Sequence, residues 1–210
     1  FRQYPDMFVS VRKLREIFDE TPQMIWYDTW KVFKHKEGEI EISDMTYSYG
    51  DKKVFENFSL TLKWGTTTAL IWPSGGGKST LIKLIAGYLQ CQQGSIKIDN
   101  QSLPSEWQSD TSKSVSLRSY YKEIGYLSQE PSIFDGSIKD NLIYGVLDGK
   151  TKKSTEENMK NVIGSAKCER IYDMKDGLDT QIGEKWVRLS GGQKQRLAIA
   201  KIMLKDPSII

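Results

Sequence analysis

A glycine-rich stretch at residues 72–80 constrains the fold of this chain more than any other feature; it reads Trp-Pro-Ser-Gly-Gly-Gly-Lys-Ser-Thr. The stretch fits the phosphate-loop pattern G-x-x-x-x-G-K-[ST] at every position except the first, where Trp72 stands in place of glycine. A β-prone run at residues 67–71 precedes it, and a helical pattern of apolar residues begins at Leu81. Strand, loop and helix in this order predict a site that holds a triphosphate; a glycine-rich turn without a ligand is the alternative.

The residue types of the loop suit a polyphosphate. Glycines let backbone N–H groups approach the phosphates, and a helix N-terminus adds partial positive charge. Lys78 is predicted to reach the β- and γ-phosphates, Ser79 to offer its hydroxyl to Mg²⁺, and Thr80 to add a further phosphate contact. The predicted nucleotide-binding set is Trp72, Pro73, Ser74, Gly75, Gly76, Gly77, Lys78, Ser79 and Thr80.

A second motif, Leu-Ser-Gly-Gly-Gln at residues 189–193, precedes apolar residues on a helical period between Leu197 and Leu204. This order predicts a helix with a cap at its start. With the phosphate loop upstream, the motif resembles the signature of the ATP-binding cassette (ABC) family; an ordinary helix cap is the alternative. In that family the signature of one subunit closes on the γ-phosphate that the partner's loop holds. The resemblance implies this role for Ser190, Gly191, Gly192 and Gln193.

The resemblance implies an α/β fold: a P-loop NTPase (RecA-like) core with an antiparallel β-subdomain and an α-helical subdomain that contains the signature. Alternating and β-branched residues at 39–71, divided at Gly50, independently predict the antiparallel β-subdomain. The remaining elements are predicted as a strand at 94–99, a surface insertion at 102–116, and helices at 137–144 and 155–172.

Two further residues fall where the family has functional positions. Gln129, at the end of a β-like run, resembles the Q-loop glutamine, which contacts Mg²⁺ or the attacking water and senses the transmembrane partner. Tyr49 resembles the aromatic residue that stacks on adenine. The alternatives are a solvated loop glutamine and a tyrosine packed into a sheet. Lys78 and Gln129 are the predicted catalytic residues, and Ser79 and Gln129 are the predicted metal ligands.

Composition excludes several other classes. The 210 residues suffice for one substantial core, and 30 Lys and Arg against 27 Asp and Glu give a net charge of +3, too small to indicate a nucleic-acid groove. Cys91 and Cys168 lack metal or redox spacing, which favours a reducing cytosolic environment. The only histidine, His35, lies among charged residues and is predicted to be a solvated linker residue. No apolar run approaches the roughly 18 residues that a membrane helix needs.

The first 38 residues and the last six resemble segments of ABC exporters. Residues 6–20 carry an apolar helical stripe of Met7, Val11, Leu14 and Phe18, for which an amphipathic surface helix is the alternative. Residues 18–22 resemble the segment that leaves the last transmembrane helix of ABC exporters. We therefore assign residues 1–38 to a helical extension and linker from a transmembrane domain, and 39–210 to an ABC ATP-binding domain. Residues 205–210 resemble the approach to the Walker B strand. Its acidic residues and the switch histidine are absent from this sequence, so we expect nucleotide binding with weak hydrolysis.

The tryptophans raise a separate question about the gene. Trp72 and Trp186 both stand where the exporter motifs have glycine, and Trp30, Trp64 and Trp107 lie in turn-like surroundings. We hypothesise that the gene reads UGA as glycine and that translation with UGA as tryptophan produced this sequence. The alternative is genuine tryptophan at a degenerate site, which would be strained if the position needs a positive φ.

These features predict the ATPase domain of an ABC exporter at the cytoplasmic face of the cell membrane, with ATP and Mg²⁺ as cofactors. ATP binding would close two such domains around two nucleotides, and hydrolysis would reopen them. These movements would be coupled to transmembrane helices on the same polypeptide. Glu184 resembles an exporter residue that touches the membrane domain, with a solvated surface position as the alternative. The competing classes are a catalytically degenerate regulatory ABC subunit and a soluble non-transport ABC ATPase. The transported substrate, the direction of transport and a homo- or heterodimeric state are open.

Overall fold

The computed structural model describes residues 4–19, 31–106, 113–146, 155–183 and 189–210. Helix α1 (Tyr4–Asp19) comes first, and the strands β1 (Ile40–Tyr49), β2 (Lys52–Leu62), β3 (Gln93–Ile98) and β4 (Gln101–Ser102) form one antiparallel sheet in the order β2-β1-β3-β4. Gly50 lies with φ +53° in the turn between β1 and β2. The sheet confirms the predicted antiparallel β-subdomain and the strand predicted at 94–99.

The sheet packs one face against two helices, α2 (Lys78–Ile85) and α3 (Leu117–Glu123). Apolar side chains at alternate positions of β1 and β3 point into this first core because successive strand residues face opposite sides. Tyr120 of α3 is fully buried, and its ring lies edge-on to Phe33 at a centroid distance of 5.1 Å. The fully buried side chains of this core include Ile42, Met45, Leu81, Leu84, Ile98 and Val115.

A second core joins three helices: α4 (Ile138–Ile143), α5 (Glu156–Ser165) and α6 (Gly191–Lys205). A short ladder of β5 (Gly136–Ser137) with β6 (Gln181–Ile182) closes it beside α4. The helices predicted at 137–144 and 155–172 are present, but the second ends at Ser165 and resumes as a 3₁₀ turn at Glu169–Asp173. Lys167 between them has φ +55°, which ends the helix.

Three sequence expectations need correction. The predicted strand at 67–71 does not form, because no other described segment pairs with it, and Ile71 is 92% exposed. The β-like run before Gln129 forms only one parallel bridge, between Ile124 and Ile209. The predicted surface insertion at 102–116 is buried at both of its described ends, which include Leu103, Ser114, Val115 and Ser116; residues 107–112 lie outside the described residues.

The N-terminal helix is confirmed as a helix with an exposed apolar stripe. The described side chains of that stripe, Val11, Leu14 and Phe18, are all more than half exposed. Among the described residues, no helix combines the length and apolar composition that a membrane span requires. His35 is exposed, as expected, and both cysteines are buried and unpaired.

Candidate nucleotide-binding site

The phosphate loop ends where α2 begins, at Lys78. The N-cap is Gly77 with φ +90°, and no side chain caps the helix. A Cβ atom at Gly77 would lie 2.9 Å from both Val54 Cγ1 and Phe55 Cζ, so glycine is required for two reasons, its dihedral angle and the space. Gly75 also has a positive φ, +79°. These glycines curve the loop so that the first N–H groups of α2 have no side-chain partner, which is the geometry of an anion site.

Lys78 folds back onto the loop that precedes it. Its ammonium donates hydrogen bonds to the carbonyl oxygens of Trp72 and Pro73, the latter at 3.0 Å. A turn between the Pro73 carbonyl and the Gly76 N–H, 3.1 Å, holds the loop closed on the same side. Phosphate oxygens are stronger acceptors than carbonyls for an ammonium group. The lysine is therefore held at the mouth of the loop by groups that a phosphate would replace.

Trp72 does not carry the strain that the sequence argument considered. It is not among the residues with positive φ, and its indole is partly buried against Phe58 and Phe55, at ring centroid distances of 5.8 and 6.5 Å. Its carbonyl, rather than its side chain, contacts Lys78. The backbone at position 72 thus admits tryptophan as well as glycine. Of the other tryptophans singled out, Trp64 is exposed, and Trp30, Trp107 and Trp186 lie outside the described residues.

Ser79 and Thr80 occupy the first turn of α2 and differ in exposure. Ser79 is exposed, whereas Thr80 is buried. The first turn carries no acidic residue, and the described residues hold no group of three His, Cys, Asp or Glu side chains suited to a metal ion. Mg²⁺ in such sites takes one or two protein oxygens and completes its shell with substrate phosphates and water. The Ser79 hydroxyl fits a magnesium ion that arrives with a nucleotide.

Tyr49 is the last residue of β1. The residue is 46% exposed, and its ring lies edge-on to that of Tyr47 at a centroid distance of 5.0 Å. Tyr47 in turn pairs across the sheet with Phe55, which contacts the loop. Burial is the larger cause and the neighbouring Tyr49 the next of a rise in the pKa of Tyr47 to about 12, so the Tyr47 hydroxyl stays neutral. The tyrosine that the sequence singled out therefore lies on the strand pair that supports the phosphate loop and keeps a face for stacking.

The signature forms the exposed N-terminus of α6. Ser190 is the N-cap: its side chain accepts from the Gln193 N–H at 3.3 Å, and its own N–H donates to Gln193 Oε1 at 2.7 Å. This capping box confirms the predicted cap and helix. Gly191 and Gly192 are exposed, and a Cβ atom at Gly191 would meet nothing within 4 Å. The motif is an open helix N-terminus with room for a ligand or a partner surface.

Gln129 is exposed. Its carbonyl oxygen accepts a long contact of 3.5 Å from Gln195 Nε2 of α6, so the segment around it lies against the signature helix. Among the described residues, no hydrogen bond joins Gln129 to Ser79 or Lys78. The structure thus places Tyr49 on β1, which pairs with the strand β2 that supports the loop, and places the Gln129 segment against the signature helix.

Sequence reasoning missed the support of the loop by β2. Val54 and Phe55 touch the position where a Gly77 side chain would be, and Phe58 holds the Trp72 indole. In the sequence these residues look like ordinary apolar residues of a strand. Their contacts with the loop become visible only in the folded structure, where β2 pairs with β1. A cavity of about 620 Å³ between residues 124–133 and α6 was equally invisible in the sequence; it lies beside the Gln129 segment.

A protein-family model described as "ABC transporter" matches residues 55–210. The chain belongs to the ABC transporter family. This membership confirms the resemblance that the phosphate loop and the signature carry, and the P-loop α/β fold class.

Curated relatives of this ABC chain include "ABC transporter B family member 15" of Arabidopsis thaliana, 38% identical over 211 residues that cover 97% of this chain and 15% of that protein. "ATP-binding cassette sub-family B member 6" of Xenopus tropicalis is 34% identical over 212 residues, covering 100% of this chain and 23% of that protein. A solved structure, that of a bacterial Atm1-family ABC exporter with ATP bound, aligns with a TM-score of 0.81 and 24% identity over 95% of this chain and 33% of that one, which shows the shared fold. The ABC chain thus spans less than a quarter of the length of these curated relatives.

Proposed function

We propose that residues 39–210 bind ATP as part of the nucleotide-binding domain of an ABC exporter, that the full-length protein hydrolyses this ATP, and that residues 1–38 connect the domain to a transmembrane domain on the same polypeptide. The observation that carries the proposal is the pair of exposed helix N-termini, one behind the phosphate loop at Lys78 and one at the signature. Each helix N-terminus presents partial positive charge to an anion, and that of α2 has no side-chain cap. The relatives' names, an ABC transporter and an ATP-binding cassette protein, support the transporter part of the proposal.

The residues of the loop have separate tasks in this proposal. Lys78 exchanges the carbonyls of Trp72 and Pro73 for the β- and γ-phosphates, and the N–H groups at the start of α2 bind the same phosphates. Ser79 holds the magnesium ion, which neutralises the charge on the phosphates when it is bound. Tyr49 stacks on adenine, and Gln129 orients the attacking water and reports the state of the transmembrane partner.

The signature acts on a second chain. Ser190, Gly191 and Gly192 form an exposed surface, and they share no described contact with the chain's own phosphate loop. We assign them to the γ-phosphate held by a partner domain, identical or different, so that two chains enclose two nucleotides. The domain then lies at the cytoplasmic face of a membrane.

Two N-cap variants test this function in the natural full-length gene product that contains this chain. Ser190→Ala removes a cap at the signature, and Thr155→Ala removes a cap at α5, where the Thr155 side chain accepts from the Asn158 N–H. Each loses about 1 kcal/mol of helix stability. We expect only Ser190→Ala to lower ATP hydrolysis, by at least about tenfold, because only it removes a group that acts in the transition state.

ATP binding, ATP hydrolysis and membrane fractionation of the full-length protein together separate the competing classes. A full-length protein that binds ATP but does not hydrolyse it in the presence of Mg²⁺ would be the degenerate regulatory subunit. Hydrolysis by a protein that fractionates away from membranes would indicate the soluble ABC ATPase. Equal loss of hydrolysis in both cap variants would show that the signature serine has only a structural task.

A further inference from the structure

The two helices that carry the phosphate loop and the signature are joined at their C-terminal ends through α3. On the α2 side, the Tyr120 hydroxyl donates to the Ile85 carbonyl and the Tyr121 hydroxyl donates to the Gly87 carbonyl, both at 2.8 Å. These carbonyls lie at the end of α2, where no further helical N–H is available to them. The two tyrosines therefore complete the C-terminus of the phosphate-loop helix.

On the α6 side, Lys205 makes the connection. It is the last residue of α6, and its ammonium donates to the carbonyl oxygens of Tyr121 and Ile124, the latter at 2.6 Å. The pKa of Lys205 lies below its ordinary value because burial disfavours the charged ammonium, and the neighbouring Glu123 carboxylate opposes this shift. Carbonyls at a helix C-terminus carry partial negative charge and favour a cation. Tyr121 thus bonds to both sides, through its hydroxyl to α2 and through its carbonyl to α6.

Further contacts join α3 to the end of α2 and to the chain beyond α6. A Cβ atom at Gly87 would lie only 2.9 Å from Leu117 Cδ2, so α3 and the end of α2 are in close contact. The chain beyond α6 returns to α3, where the Ser208 hydroxyl donates to Glu123 Oε2 at 2.7 Å and the Ile209 N–H donates to the Glu123 carbonyl at 3.0 Å. Tyr121, Ile124 and Lys205 also line the cavity of about 620 Å³, so hydrogen bonds make the connection between α3 and α6.

We propose that Tyr121 and Lys205 are positioning residues that couple the phosphate-loop helix to the signature helix. Nucleotide bound at a chain's loop then shifts the signature that the same chain presents to the other nucleotide. This rests on the proposed function, in which the loop and the signature of one chain serve different nucleotides. An intrachain link between them is consequently a link between two ATP sites, and it has the form of an allosteric coupling.

The test is the ATP dependence of hydrolysis by the natural full-length gene product, with a double-mutant cycle. Tyr121→Phe deletes one hydroxyl, Lys205→Met deletes the ammonium at similar length, and Lys205→Arg keeps a donor. Tyr172→Phe and Lys175→Met, both at exposed positions, are the controls. For two coupled sites we expect the wild-type protein to have a Hill coefficient above about 1.4 for ATP. The coefficient should fall to about 1 in Tyr121→Phe and in Lys205→Met, and the double variant should have the same value as either single variant.

A merely structural task predicts a different result. Loss of packing lowers melting temperature and maximal rate but leaves the Hill coefficient at its wild-type value, and that outcome overturns the proposal. Lys205→Arg is expected to keep cooperativity, and Tyr121→Phe decides the matter if Lys205→Met fails to fold. A wild-type Hill coefficient of 1 with normal hydrolysis overturns the coupling and leaves the proposed function standing. Absence of hydrolysis in the wild-type protein overturns both.

Discussion

The carboxylate of Asp99 accepts a 2.7 Å hydrogen bond from the backbone N–H of Gly38, although 61 positions separate the two residues in the sequence. The same carboxylate accepts the N–H groups of Lys36, Glu37 and Glu39. The carboxylate therefore holds residues 36–39, which precede β1, against the turn that follows β3. Asp99 is buried, with φ +51°.

Asp99→Asn should destabilise the 210-residue chain by about 2–3 kcal/mol, because an amide supplies one neutral acceptor where four N–H groups now share a charged carboxylate. Urea unfolding followed by circular dichroism measures the change. Asp51→Asn, in the exposed turn between β1 and β2, is the control and should change stability by less than about 0.5 kcal/mol. Equal effects of both variants would show that the carboxylate does not hold the linker.

The contribution of Asp99 should depend on pH. Burial alone would raise the pKa of Asp99, but the four N–H donors outweigh it and lower the pKa from its ordinary value of 3.8. A lowered folded-state pKa means that the stabilisation is fully present above the unfolded value and is lost as pH falls through the folded one. The stability difference between wild type and Asp99→Asn should be constant above pH 5 and shrink below pH 3.8. A difference that stays constant across this range would contradict the account.

Local patterns predicted the parts of the fold that depend on local chemistry. The phosphate loop, the turn at Gly50 and the cap at Ser190 each follow from residue types within a few positions. The strand predicted at 67–71 was wrong because a strand needs a neighbour for its backbone groups, and apolar composition does not supply one.

Long-range contacts account for what the sequence could not show. The Asp99 carboxylate and the Lys205 ammonium look like surface charges in a sequence, and their partners lie about 60 and 80 positions away. The supporting role of Phe55 depends on its register with Tyr47. The roles of Gln129 and Tyr49 stay predictions, since the fold gives Gln129 an exposed position and Tyr49 an accessible ring without a nucleotide contact.

Gly77→Ala should disrupt the phosphate loop. The new Cβ would lie 2.9 Å from Val54 and Phe55 at a backbone φ of +90°, so we expect a loss of about 2–3 kcal/mol and a loss of ATP affinity. Gly164→Ala is the matched control, because Gly164 lies within α5 with nothing within 4 Å of its added Cβ. That control should stabilise the chain by about 0.5–1 kcal/mol. Thermal unfolding and ATP titration measure both effects, and a neutral Gly77→Ala would refute the described loop geometry.

Trp72→Gly should cost about 1–2 kcal/mol through lost contacts with Phe55 and Phe58, while ATP affinity changes less than about threefold. The reason is that the Trp72 backbone, rather than its indole, contacts Lys78. Thermal unfolding and ATP titration of both versions test this expectation. A gain of tenfold or more in affinity would show instead that tryptophan impairs the loop.

The identity of position 72 in the cell is a separate measurement. Mass spectrometry of peptides from the natural protein, together with the codons of the gene, would show glycine at positions 72 and 186 if UGA is read as glycine. Tryptophan at both positions would end the recoding hypothesis. The loop described here accommodates tryptophan at position 72 without a positive φ, so a genuine tryptophan does not by itself indicate a degenerate site.

The central claim is that the loop ending at Lys78 binds ATP. Calorimetric titration of the 210-residue chain with ATP and Mg²⁺ should give binding that Lys78→Ala weakens at least about tenfold, a loss of about 1.4 kcal/mol or more. Lys83→Ala, at an exposed position of the same helix, should bind ATP within about twofold of wild type, because its charge lies at the opposite end from the phosphates. Equal ATP affinity in all three proteins, or no binding by the wild type, would contradict the account.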